Sequence, residues 1–286
     1  MPNLSSHGIL GDKNTFAGLG QGFPMAELSR IHFLSEFMDF RSGGDIMTVD
    51  WLGTDIGSPT TPTETIRGDA GQTTLRLNAG TVNATGTNFV HRGSGALSGS
   101  GEFVTPADNK SIIYIARFKK TVAGADGPAF FIGLTRGSTV LDASGDPAAG
   151  DYVGFWTGID SASLRFRCLR AGSTTVNLDT GITLSDDTWI TVGFRIDALD
   201  VSETTGNGGI RVYTASEASG ATSVPQFRRD YLDGPLGLFS QVADTSNVLV
   251  DQVPNADMAP GMAIVNTADD SSLTADVDFI YVSQAR

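Results

Sequence analysis

Residues 189–197, Trp-Ile-Thr-Val-Gly-Phe-Arg-Ile-Asp, alternate between apolar and polar positions. Ile190, Val192, Phe194 and Ile196 fall on one side of an extended chain, with Thr191, Gly193, Arg195 and Asp197 on the other. That is the period of a strand with one buried face. Asp186-Asp187-Thr188 ahead of it supplies turn chemistry. Burying the four apolar side chains is worth about 6–12 kcal/mol before conformational entropy is subtracted. A lone strand cannot hide them. The pattern therefore predicts an antiparallel sheet, greasy on one face and polar or wet on the other, packed against a second sheet.

The same reading extends along most of the chain. It predicts strands at Phe37–Phe40, Ile46–Trp51, Thr73–Leu77, Asn88–Arg92 and Ile112–Lys119, with Glu102–Val104 ahead of a loop. Later ones follow at Ala129–Leu134, Tyr152–Trp156, Leu164–Leu169, Gly209–Tyr213, Leu236–Phe239, Ala263–Val265 and Ala275–Val282. Residues 53–63, with Pro59 and Pro62, read as a loop. Asp142–Pro147, Gly206–Gly209 and Asp269–Ser272 are turn sequences. About a dozen short strands without intervening helices, and without a repeat of fixed period, predict one β-sandwich or jelly roll over residues 37–286.

Two segments ahead of residue 37 break the strand pattern. Residues 24–36 read as a short helix, with Pro24 at its first turn and Met25, Leu28, Ile31 and Leu34 on one stripe. Residues 1–23 are rich in Gly, Ser and Asn, with Leu4, Ile9, Leu10, Phe16, Leu19 and Phe23 scattered through them at no period. Such a stretch cannot build its own core. It is either a disordered tail or an arm that orders by laying those six side chains on a partner. The number of large apolar residues favours the arm, which makes the six the candidate partner-binding residues.

Composition narrows the classes of function. A net charge of −13 sets nucleic acid and anionic membrane aside as direct partners. No stretch reaches the length of a membrane span, and no basic segment followed by an apolar run opens the chain, so synthesis in a cytoplasm is the expectation. The one cysteine, Cys168, excludes an intrachain disulfide and, in step with Leu164 and Phe166, reads as a buried, inert thiol.

The layout resembles the concanavalin A-like lectin and glucanase sandwiches. The residues that carry the resemblance are Trp189–Ile196, the Tyr152–Phe155 and Leu164–Phe166 pair, and the closing Val277–Val282. In that family the last strand returns beside one near the start, which implies Phe37–Phe40 or residues 46–51 as its neighbour here. A narrower resemblance is to head decoration (cement) proteins of tailed-phage virions. It is carried by Phe37–Phe40, by Leu75–Gly80 followed by Thr81–Thr87, and by the apolar-speckled arm. It implies a virion structural subunit on the capsid surface that contacts the major capsid protein and clamps neighbouring capsomers. It also implies a homo-oligomer, with a trimer as the expectation.

The search for chemistry points to a non-enzyme. Glucanases of this fold use alternating acids such as Glu-x-Asp-x-Glu, and retention needs two carboxylates about 5–5.5 Å apart. The nearest match, Asp276-Val277-Asp278-Phe279, has no glutamate and no third acid. His7, His32 and His91 lack zinc spacing, no Gly-x-Ser-x-Gly elbow occurs, and Gly18–Gly22 has neither the strand nor the Lys-Ser/Thr of a phosphate loop. Asp142–Asp146 and Asp269-Asp270 read as turn aspartates rather than a calcium loop. No metal or cofactor is expected. Trp51, Trp156 and Trp189 flank apolar strands, which makes core or rim packing the expectation over a sugar platform. The alternative to the decoration role is a carbohydrate-binding module of a phage tail fibre or adhesin, with a surface glycan as ligand.

Overall fold

The computed structural model describes residues 30–35, 51–57, 64–69, 72–91, 104–105, 110–121, 127–159, 161–196, 210–216, 240–241, 252–266 and 273–285. These residues form fifteen strands and, among them, no α-helix. The strands are β1 (Arg30–Ser35), β2 (Trp51–Ile56), β3 (Glu64–Asp69), β4 (Gln72–Asn78), β5 (Thr85–His91), β6 (Ile112–Lys120), β7 (Ala129–Thr135) and β8 (Tyr152–Thr157). They continue with β9 (Ser163–Leu169), β10 (Val176–Thr183), β11 (Ile190–Ile196), β12 (Ile210–Ser216), β13 (Ser240–Gln241), β14 (Ala259–Asn266) and β15 (Thr274–Ala285).

The strands pair into two antiparallel sheets. One has eight strands in the order β13-β12-β11-β6-β15-β4-β3, with β1 beside β15 as well; the other has seven, β10-β9-β8-β7-β14-β5-β2. Between the sheets lies a core of inward-pointing side chains. Tyr114 of β6 stacks on Phe194 of β11, and Phe166 of β9 packs edge-on to Phe194 and to Phe155 of β8. The alternation at 189–197 holds: Ile190, Val192, Phe194 and Ile196 all join this core. The opposite face is not wet, however. Thr191 is buried there, and Ile115, Tyr213 and Phe279 form a separate apolar cluster with Ile113 and Tyr281 against it.

β15 explains how both faces stay consistent. Its register against β6 shifts between Val277 and Phe279, leaving Asp278 as the extra residue of a β-bulge. Ala275, Val277, Ile280 and Val282 consequently point into the core, while Phe279 joins the outer cluster. Simple alternation through Asp276–Val282 puts Val277 and Phe279 on one face; the bulge changes the phase between them.

Several expectations are corrected. Residues 30–35, read as part of a helix over 24–36, form β1 and pair antiparallel with Ile280–Ala285 of β15. The open edge of β15 offers a six-residue ladder that a local periodicity cannot anticipate. The closing strand lies between β6 on one side and β1 and β4 on the other; residues 37–40 and 46–50, expected as its neighbours, lie outside the described residues, and Trp51 belongs to β2 of the other sheet. Residues 53–56, read as loop, belong to β2, an edge strand of the other sheet. β3 and β10 carry no prediction from the pattern and are also edge strands. The arm over 1–23, residues 24–29 and residues 36–50 lie outside the described residues.

Candidate functional site

Leu4, Ile9, Leu10, Phe16, Leu19 and Phe23, the candidate partner-binding residues, all lie outside the described residues. The site can therefore be built only from the faces of the sandwich.

The acid pair sits on the outer face of the eight-stranded sheet. β15 places Asp276 directly opposite Arg76 of β4 on one side and Lys119 of β6 on the other. Arg76 donates to both carboxylate oxygens, Nε to Oδ1 at 2.5 Å and Nη2 to Oδ2 at 2.6 Å. Lys119 Nζ stands 3.7 Å from Oδ2 and 2.8 Å from Asp187 Oδ1. The bulge turns Asp278 towards Arg117, whose Nη1 donates to Oδ2 at 2.7 Å with the Arg117 side chain fully buried. Trp189 completes the cluster, with the Arg117 guanidinium 4.5 Å and the Lys119 ammonium 5.1 Å from its ring centre. Both oxygens of the Asp276 carboxylate are thus engaged by a bidentate arginine, a geometry that fixes the side chain in place. The arrangement suits a clamp between β4, β6, β15 and the turn before β11. It does not suit a general acid.

Part of the outer face of the seven-stranded sheet is covered by the protein's own chain. Residues 136–151, between β7 and β8, fold back over it. Asn88 of β5 accepts the Val140 and Leu141 N–H groups on Oδ1, both at 2.9 Å. Val140 and Leu141 then pack with Val90, Phe131, Tyr152, Ala259 and Ala263. The sheet is shaped to receive them. Gly261, Gly133 and Gly154 stand opposite one another across β14, β7 and β8. A methyl group on Gly133 would come within 2.3 Å of the Val153 carbonyl oxygen. Asp142 forms the loop's turn: its Oδ1 accepts from the Ser144 N–H at 2.9 Å and the Ser144 hydroxyl at 2.6 Å. Its role as a turn former, read from sequence, is what the geometry displays. Among the described residues no three His, Cys, Asp or Glu side chains cluster as a metal site would need.

The remaining sequence candidates are placed as follows. Trp51 stacks on Phe89 in the core, and Trp189 is buried in the ionic cluster. Trp156 is half-buried on the outer face; its indole N–H donates to Gly145 O at 2.9 Å and the Arg167 guanidinium lies 4.4 Å from its ring centre. Cys168 is buried, its thiol donating to the Gln252 carbonyl, and burial pushes its pKa up. His91 is buried beside Trp51. Sequence reasoning missed Lys120. It is buried at the end of β6, with Nζ donating to Pro128 O at 2.9 Å, Thr157 Oγ1 at 2.8 Å and Ser161 O at 3.3 Å. Burial pushes its pKa down to about 7. The only signal was the odd phase: Lys120 follows Phe118 on the inward face.

No model of a known protein family matches the chain, and no curated protein matches it. Solved structures do resemble it. An endo-1,3-β-glucanase from Streptomyces sioyaensis aligns at 10% identity over 90% of this chain and 96% of that chain, with a TM-score of 0.50. A glycoside hydrolase family 16 endo-glucanase from Bacteroides ovatus aligns at 11% identity over 87% and 99%, with a TM-score of 0.48. The CBM2 module of the evolved Dit of Lactobacillus casei BL23 phage J-1 aligns at 10% identity over 89% and 96%, with a TM-score of 0.39. The fold is thereby defined: the chain folds as a jelly-roll β-sandwich of the concanavalin A-like kind. At 10% identity the likeness is one of fold, and fold does not carry activity.

Proposed function

We propose that the chain is a virion structural protein, a decoration subunit that binds the outer surface of a tailed-phage head and stabilises neighbouring capsomers. The observation that supports this reading is the engagement of the acid pair in ion pairs on the outer face of the eight-stranded sheet. The acids nearest to a glucanase pattern are consumed in the Arg76–Asp276 and Arg117–Asp278 pairs. On the opposite face Val140 and Leu141 cover β5, β7, β14 and the start of β8. A sandwich whose acid pair is so engaged serves better as a structural body than as a glucanase, and the apolar residues of the arm are left to make the attachment. The sequence resemblance to decoration proteins supplies the kind of partner, the major capsid protein, and the expectation of a trimer.

The test is heat resistance of the head. Undecorated phage heads incubated with the full chain should release DNA at a higher temperature, and the gain should saturate at a fixed copy number per capsomer. Heads that lose DNA at the same temperature at every concentration of the protein would end the decoration reading. The second reading, a carbohydrate-binding module, is favoured by the half-buried Trp156 beside the uncovered strands β9 and β10. It predicts saturable binding on a broad glycan panel, lost in Trp156→Ala.

A further inference from the structure

The loop over residues 136–151 covers only part of the seven-stranded sheet. It packs on β5, β14, β7 and the start of β8, and stops at Trp156. Beyond it β9 and β10 present an open shelf, on which Asn177 and Asp179 are exposed. Two arginines point out of this shelf. Arg165 and Arg167 alternate with the core residues Leu164, Phe166 and Cys168, so both lie on the outer face of β9 about 6–7 Å apart along the strand.

The two guanidinium groups are in different states. Arg167 is fixed in place: its guanidinium lies over Trp156, and Nη1 donates to Asp146 Oδ1 at 3.0 Å. Its Nε is buried and has no acceptor among the described residues. Arg165 stands between Trp156 of β8 and Asp179 of β10 in the strand register. It is half-buried, yet no hydrogen bond or ion pair joins it to any of the described residues. Asp179, opposite it in the register, makes no ion pair with it; its Oδ1 accepts the Gly181 N–H at 2.9 Å inside the β10 bulge. Two cations thus share one face with a single acid in ion-pair contact, on a chain whose net charge is −13. A half-buried guanidinium with an empty fork is an unfilled site for an oxyanion, and the fork geometry fits a carboxylate or sulfate.

We propose that the shelf beside Trp156 binds one oxyanion group, a carboxylate or a sulfate, with Arg165 as the principal ligand and Arg167 as the pre-positioned second. The wall of Trp156 and the exposed Asn177 amide leave room for that group to be free or to be carried on a sugar ring. This site is independent of the arm and stands whether or not the decoration reading does.

The test follows the arginine Nε–H resonances of the 15N-labelled full chain. Sodium sulfate and sodium glucuronate are titrated in separately, with sodium chloride at matched ionic strength and glucose as controls. The Arg165 and Arg167 signals should shift saturably with sulfate, glucuronate or both. Arg165→Gln should weaken binding about tenfold or more, with the rest of its spectrum unchanged to show that it folds. Arg165→Lys, which keeps the charge without the fork, should fall between the two. Tighter binding of glucuronate than sulfate would assign the group to an acidic sugar, and equal binding would assign it to the anion alone. Shifts that merely track chloride, binding of glucose at equal strength, or undiminished binding by Arg165→Gln would overturn the proposal.

Discussion

Lys120 and Tyr114 are both residues of β6 whose polar ends are buried between the sheets, and they meet that situation in opposite ways. Lys120 places its nitrogen against three oxygens, whereas the Tyr114 hydroxyl has no hydrogen-bond partner among the described residues and burial raises its pKa. An unpaired buried hydroxyl costs about 1–3 kcal/mol, so Tyr114→Phe should stabilise the protein by about 1 kcal/mol in chemical denaturation. Lys120 has a folded pKa of about 7 against an ordinary 10.5. Between those values the unfolded chain binds the proton more tightly than the folded one, so stability rises with pH across this window. Below pH 7 the folded state also carries the charge, and the slope vanishes. Wild type measured against Lys120→Met from pH 6 to 9.5 should show the difference growing by about 1.4 kcal/mol per pH unit above 7. A pH-independent difference would mean that the ammonium stays charged in the fold.

At the scale of elements, the devices that set the faces are a bulge and a loop. Asp278 is both the bulge residue of β15 and the acceptor of Arg117 Nη1. Asp278→Asn removes a charge from a buried pair and should cost about 3 kcal/mol, read as a fall in melting temperature. Asn88 holds the loop over residues 136–151 through two N–H groups. Asn88→Ala should leave the fold intact but speed hydrogen exchange at Val140 and Leu141, and should cost about 2 kcal/mol. These two elements also mark the limit of what the amino-acid pattern reveals. β9 and β11 were legible because apolar and polar residues alternate along them, and β7 and β8, buried almost throughout, because they are short apolar runs. β15 was legible as a strand but not in phase, because a bulge inserts its extra residue without a fixed residue signature. β2 was lost at Gly53 and Asp55, residues that suit turns and that an edge strand tolerates on its exposed side. β1 was read as helix because its ladder is supplied by residues about 250 positions away, beyond any local window. The candidate site was less legible still. Asp276 and Asp278 were found as a pair, but their ion partners come from β4 and β6, and pairing across strands cannot be read from spacing.

At the scale of the whole molecule, the sandwich has a continuous core between its sheets and is built from a single-cysteine, acidic chain. The proposed role divides the labour: residues 1–23 would attach and the sandwich would provide bulk and rigidity. A continuous core between two sheets makes such a body resistant to local opening. The account therefore predicts that the arm can be removed without loss of the fold. The measurement that tests this most directly is co-sedimentation with undecorated tailed-phage heads, run for the full chain beside a chain lacking residues 1–23, with the melting temperature of each recorded. The account predicts saturable binding by the full chain, no binding by the shortened one and equal melting temperatures. A shortened chain that saturates heads as the full chain does would contradict it.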